Sequence, residues 1–189
     1  MDRAVAALKE KYPDREIRTF DTKSISLGAG FQVRLAAEKY NAGATMDELD
    51  AFLEEVRAHT VVYFVVDDLV YLKRGGRISA LTAAFGKMLG IKPMISVMPD
   101  GSLQSVGKVK GSKRVFAELV RIMREHKCNV KDYRIEVLQA DCPETGDAFV
   151  QTLRQEFGED IKVDYQVVGP VIAAHCGPGT LGLIFYGNK

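Results

Sequence analysis

Two glycine-punctuated stretches carry the side chains best suited to chemistry: DDLVYLKRGGRIS at 67–79 and GPVIAAHCGPGTLG at 169–182. In the first, Arg77 follows Gly75 and Gly76. A guanidinium is a planar, permanently charged fork that suits an anion, and glycine lets backbone approach a ligand closely. Arg77 could equally brace the glycine turn by bonding carbonyls. In the second, His175 offers a ring nitrogen to an anionic head group, or is a buried histidine satisfied by backbone. A third stretch, DTKSISLGAG at 21–30, adds the hydroxyls of Thr22, Ser24 and Ser26 just ahead of an expected helix. Hydroxyls beside helix-start amides can hold a carboxylate that has no strong countercharge. Ser26 reads as readily as an ordinary N-cap.

Catalytic readings are weaker. Cys176 beside His175 suggests a thiolate nucleophile, but the stretch reads as a turn and strand, where adjacent side chains point to opposite faces. Asp67 and Asp68 suggest metal or acid–base work. At a strand-to-helix junction, acidic side chains also complement the helix dipole. His59 and His126 read as solvated residues at helix ends. The sequence has no P-loop and no metal-ligand spacing.

The composition narrows the class. At 189 residues the chain holds one large domain or two small ones. An apolar fraction of 47% suits a globular protein. Lys+Arg 26 against Asp+Glu 25 gives a net charge of +1, which disfavours a nucleic-acid binder. Three cysteines without a C-x-x-C pair argue against a disulfide framework and fit a reducing cytoplasm. No apolar run reaches membrane length. The opening MDRAVAALKEKYP reads as an amphipathic helix rather than an export signal.

These residues need positioning elements. A helix is expected over 1–12, a short strand over 16–21, and a helix from Ser24 or Ser26 to about Tyr40. Thr45 and Glu48 form a capping box for a further helix. VVYFVV at 61–66 is a continuous apolar run, as in a strand of a parallel sheet buried on both faces. A short helix then ends at Gly75–Gly76, and a second covers about 79–89. IKPMISVM and SLQSVGKVK around Pro-Asp-Gly predict a hairpin, followed by a helix over 112–127. Residues 133–137 and 163–167 alternate like half-buried strands of an antiparallel sheet, with a helix between them and a last strand over 181–186. The resulting fold class is α/β. Residues 1–68 read as the remnant of a parallel α/β/α domain, and residues 69–189 as an α+β domain with an antiparallel sheet. The first portion reads as if it begins mid-domain, leaving its central strand short of partners.

DTKSISLGAG resembles the D-S-K-x-x-S-x-G-x-G segment of the DegV family, the bacterial fatty-acid-binding proteins. DDLVYLKRGGRIS with GKMLGIKPMISVMPDGSL at 86–103 resembles the family's central signature, and GPVIAAHCGPGTLGLIFYG its H-x-G-P-G signature. The resemblance covers essentially the whole chain. Thr22 stands where the family has serine, Lys110 where it has arginine, and Cys176 where a small hydroxyl or aliphatic residue is common. The family's N-terminal portion, with its Thr/Ser-rich loop, is expected to be missing.

The resemblance implies a cytoplasmic, non-catalytic lipid carrier with no cofactor, whose bound ligand is a long-chain fatty acid. Ser26 and His175, with Thr22, Ser24 and Arg77, would hold the carboxylate. Phe31, Leu35, Phe85 and Leu89 would wall the acyl pocket, with Leu81, Met88 and Ile95 also plausible. The carrier would present the carboxylate to a fatty acid kinase through Lys110 and Lys113, with no nucleic acid and no stable membrane insertion. The alternatives are a small hydrolase or phosphoryl-transfer enzyme using the Gly-Gly-Arg loop, or a truncated product that binds nothing.

Overall fold

The computed structural model describes residues 2–76 and 91–189. Its elements run α1 (Asp2–Lys11), α2 (Leu27–Asn41), α3 (Met46–His59), β1 (Thr60–Val65), α4 (Leu69–Arg74), β2 (Ile91–Val97), β3 (Leu103–Lys110), α5 (Ser112–Glu125), β4 (Ile135–Ala140), α6 (Pro143–Phe157), β5 (Val163–Val167), α7 (Pro170–Cys176) and β6 (Thr180–Tyr186). The expected helix over 79–89 lies outside the described residues.

Local chemistry builds several of these as expected. Thr45 accepts from the Glu48 amide while the Glu48 carboxylate accepts from the Thr45 amide, completing the capping box of α3. β2 and β3 form the antiparallel hairpin, turned at Pro99–Gly101 with Gly101 at φ 88°.

The strands form one sheet in the order β3-β2-β1-β6-β4-β5. Helices cover both faces. α5 and α6 contribute Leu119, Met123, Phe149 and Leu153 to one core, against Val61, Val65, Leu183 and Phe185. α2, α3, α4 and α7 contribute Phe31, Val56, Leu72 and Cys176 to the other, against Val62, Val66, Leu138 and Ile184. The protein is therefore a mixed α/β fold of three layers with a mostly antiparallel sheet.

Several expectations are corrected. The VVYFVV strand is buried on both faces, but it is not part of a parallel arrangement: β1 pairs antiparallel with β2 and with β6. Nor is it short of partners. A continuous apolar run reports that both faces are covered and says nothing about the direction of its neighbours. Conversely, β4 and β5 are parallel rather than antiparallel. Helix α6 joins them as a crossover, the connection that a parallel pair requires. β4 is also buried throughout rather than half-buried. Residues 16–21 form no strand; Arg18 instead ties this extended segment to α3 through Asp47 at 2.6 Å and Asp50 at 2.7 Å. Residues 170–176 are helical, not extended. Pro170 opens α7, a position where its fixed φ is preorganised for a helix.

Candidate functional site

The 21–26 segment enters α2 through a tight backbone. Ser26 is the N-cap residue, yet its side chain makes no capping bond. Its φ of 54° and ψ of −132° lie in a region that L-residues avoid. Lys23 also has a positive φ, at 47°. Gly28 N–H donates to the Ile25 carbonyl and Gly30 N–H to the Ser26 carbonyl, each at 3.0 Å, which starts the helix.

His175 occupies the last turn of α7 and packs against the end of α4. A Cβ on Gly75 would lie 2.2 Å from His175 Nδ1, so the first glycine of the Gly-Gly pair admits the imidazole. Nδ1 is buried without a hydrogen-bond partner among the described residues. Below it, Gly177 takes φ 79° over the Tyr71 ring, where a Cβ would come within 2.4 Å. Thr180 Oγ1 donates toward the Cys176 and Gly177 carbonyls, at 3.0 and 2.9 Å, closing the end of α7.

These elements enclose an apolar cavity of about 200 Å³. Its floor is the sheet, with Val62, Phe64, Leu138, Gly182 and Ile184; Leu72 and Ile172 form walls, and Ile25 and Val171 stand at its margin. Ser26 and His175 both line it, from opposite ends of the sequence. No carboxylate, lysine or arginine is among its described lining residues. Cys176 lines it too, but burial pushes its thiol pKa up and its hydrogen-bond partner is Thr180. A thiol held neutral in this way is a poor nucleophile.

The other expected site residues are dispersed. Ser24 Oγ is buried without a hydrogen-bond partner among the described residues, and a Cβ on Gly28 would fall 2.2 Å from it. Thr22 contributes its carbonyl, to Gln32, and is not among the cavity-lining residues. Phe31 and Leu35, 1% and 7% exposed, belong to the core under α2 and do not line the cavity. Ile95 is likewise core. Arg77, Leu81, Phe85, Met88 and Leu89 lie outside the described residues. Lys110 ends β3 and Lys113 opens α5; both are exposed. α5 packs on the face of the sheet opposite the cavity-side core. Asp67 pairs with Lys92 at 2.5 Å, and Asp68 accepts from the Val70 amide at 2.8 Å, capping α4. Among the described residues no His/Cys/Asp/Glu group could hold a metal, and no helix is long and apolar enough to cross a membrane.

Sequence reasoning missed the floor residues Val62, Phe64, Leu138, Gly182 and Ile184, the wall residues Leu72 and Ile172, and Thr180. Gly182 sits inside a strand, where a glycine signals close approach; a Cβ there would lie 2.7 Å from Leu138. That was the one available hint.

Fold and cavity together define a three-layer α/β protein with a cavity whose described lining is mostly apolar and includes the Ser26 hydroxyl and the His175 imidazole. The chain belongs to the DegV family: the family model, described as an uncharacterised protein of that family, matches residues 3–188. It is 38% identical over 182 residues to a DegV domain-containing protein of Clostridium perfringens, covering 96% of this chain and 62% of the relative. The chain thus spans about three-fifths of the length of that relative. A solved DegV family protein from Thermus thermophilus, described by its fatty acid binding, is 31% identical with a TM-score of 0.80, covering 94% of this chain and 63% of that one. The fold is also that of the Streptococcus pneumoniae fatty acid kinase B3 protein loaded with linoleic acid, with a TM-score of 0.88 at 18% identity, covering 99% and 66%.

Proposed function

We propose that this chain binds a long-chain fatty acid, with Ser26 and His175 at the carboxylate and the apolar cavity around the first carbons of the acyl chain. The observation that carries this is the meeting of Ser26 and His175 on one cavity whose other described lining residues are mostly apolar. A carboxylate needs donors, and a hydroxyl and a ring N–H supply them. At about 200 Å³ the cavity is smaller than typical ligand pockets of ~300–1,000 Å³. In this reading, the described walls hold the head group and the proximal methylenes only.

The protein acts as a carrier, not a catalyst. The neutral Cys176 thiol and the lack of a carboxylate among the described lining residues support that reading over a hydrolase. Membership of a family with fatty-acid-binding members supports the ligand class. The shared fold with a fatty acid kinase B3 protein is the ground for a finer proposal, that the bound carboxylate is presented to a kinase that phosphorylates it. Thr22, Ser24 and Arg77 remain proposed contributors to the head-group site.

Lipid extraction of the purified chain followed by mass spectrometry, with linoleate titration, tests the reading. A co-purified fatty acid and saturable linoleate binding are expected. Ser26→Ala should weaken that binding by about 0.5–1.5 kcal/mol, the net worth of one hydrogen bond. No lipid and no linoleate binding would overturn the reading.

A further inference from the structure

The residue most out of place in the core is Gln32. It lies on the buried face of α2 beside Phe31 and is 1% exposed. Burying a carboxamide among apolar side chains is unfavourable unless its groups are bonded, and a leucine would fill this core position without that cost. The Gln32 amide makes one hydrogen bond: Nε2 donates to the Thr22 carbonyl at 3.0 Å. Its Oε1 has no hydrogen-bond partner among the described residues. Among the described residues the amide is thus held by a single hydrogen bond, to the segment that leads into Ser26.

That segment is strained and held on several sides. Lys23 and Ser26 both have positive φ although neither is glycine. Outliers of this kind persist only where surrounding structure over-determines them, and they cluster at binding sites. From the surface, Arg57 donates to the Asp21 carbonyl at 3.0 Å, and the Asp21 carboxylate accepts from the Lys23 amide at 3.0 Å. From the core, the holding contact is Gln32 on Thr22. Residues 25 and 26, just beyond these anchors, line the cavity.

We infer that Gln32 is a positioning residue of the head-group site: by gripping the Thr22 carbonyl it imposes the strained Ser26 backbone that brings residue 26 to the cavity wall. This inference rests on the reading of Ser26 as a carboxylate ligand. Gln32 touches no ligand itself. It acts through residue 26, so its effect on affinity should vanish when the Ser26 hydroxyl is absent.

A double-mutant cycle with linoleate as the probe tests this, each variant also being followed by thermal unfolding. Gln32→Met should weaken linoleate binding several-fold in the wild-type background and leave it unchanged in the Ser26→Ala background. Ser26→Gly should raise the melting temperature, because glycine tolerates the Ser26 dihedrals, while losing as much affinity as Ser26→Ala. Gln32→Glu adds a second readout and serves if Gln32→Met does not fold. A buried carboxyl titrates high; protonated, it can donate to the Thr22 carbonyl as the amide does, and ionised it cannot. The affinity of Gln32→Glu relative to wild type should therefore rise as pH is lowered. Equal losses from Gln32→Met in both backgrounds, no loss at all, or a pH-independent ratio for Gln32→Glu would overturn the inference. If Ser26→Ala itself leaves linoleate affinity unchanged, the inference falls together with the role of Ser26. If Ser26→Ala weakens binding and Gln32 does not couple to it, only the inference falls.

Discussion

Adding one methyl group at Gly75 tests the contact that seats His175. Gly75 has φ −73° and ψ −3°, ordinary values that alanine adopts without strain. By backbone entropy alone, Gly75→Ala should therefore stabilise the fold by about 0.4–1 kcal/mol. The new Cβ, however, would lie 2.2 Å from His175 Nδ1, 3.1 Å from Cε1 and 3.3 Å from Cγ. A contact of 2.2 Å is far closer than two heavy atoms tolerate, so the imidazole must shift to admit it. Overpacking of this kind costs about 1–3 kcal/mol, which outweighs the entropic gain. A net destabilisation of about 1–2 kcal/mol follows, at about 2–4 °C of melting temperature per kcal/mol for a chain of this size. The displaced imidazole should also weaken linoleate binding. The decisive assay is the same substitution in a His175→Ala background, where the three atoms nearest to the new Cβ are gone. There Gly75→Ala should become neutral or stabilising. If it costs as much with His175 absent as present, the reasoning is refuted, and Gly75 serves some contact other than the imidazole.

Two further outcomes are expected. If Lys110 and Lys113 face the kinase, Lys110→Ala and Lys113→Ala should slow acyl-phosphate formation at low ionic strength, with the difference shrinking as salt screens the encounter; linoleate affinity should not change, and a loss of affinity would place the lysines at the lipid instead. Glu136, buried on β4 and paired with Arg34 on α2, has its carboxyl pKa raised, chiefly by burial and against the opposing pull of Arg34. A raised folded value means the contribution of this group to stability is complete below the ordinary glutamate value of 4.5 and is lost as pH rises through the raised value; Glu136→Gln, which cannot ionise, should thus gain stability relative to wild type across that window, and chemical denaturation showing a pH-independent difference would contradict this.

Much of the local architecture was legible because neighbouring residues decide it. The Thr45–Glu48 capping box, the turn at Pro99–Gly101 between β2 and β3, the amphipathic α5 and the stop at Gly75–Gly76 depend on contacts within a few positions. The DegV signatures were legible for the same reason, as short runs of fixed residues, and they brought Ser26 and His175 forward together. Strand direction was not legible. VVYFVV is apolar throughout because helices cover both faces of the sheet, and the same run would serve a parallel or an antiparallel neighbour. Pro170 before an apolar run was compatible with a helix or an extended stretch, and only packing of α7 against α4 and the sheet separates them. Phe31 and Leu35 had the right character for a pocket wall, yet tertiary placement made them core and gave the cavity floor to Leu138, Gly182 and Ile184. The seat of His175 on Gly75 and the grip of Gln32 on Thr22 likewise exist only once separate segments meet, since each needs a backbone atom of one segment within contact distance of a side chain from another. Sequence alone thus determined which groups this protein has for holding an anionic head group; the crossing of α2, α4 and α7 over the sheet decided which of them share a cavity, because burial and proximity across the fold are properties of the packed chain and not of its local runs.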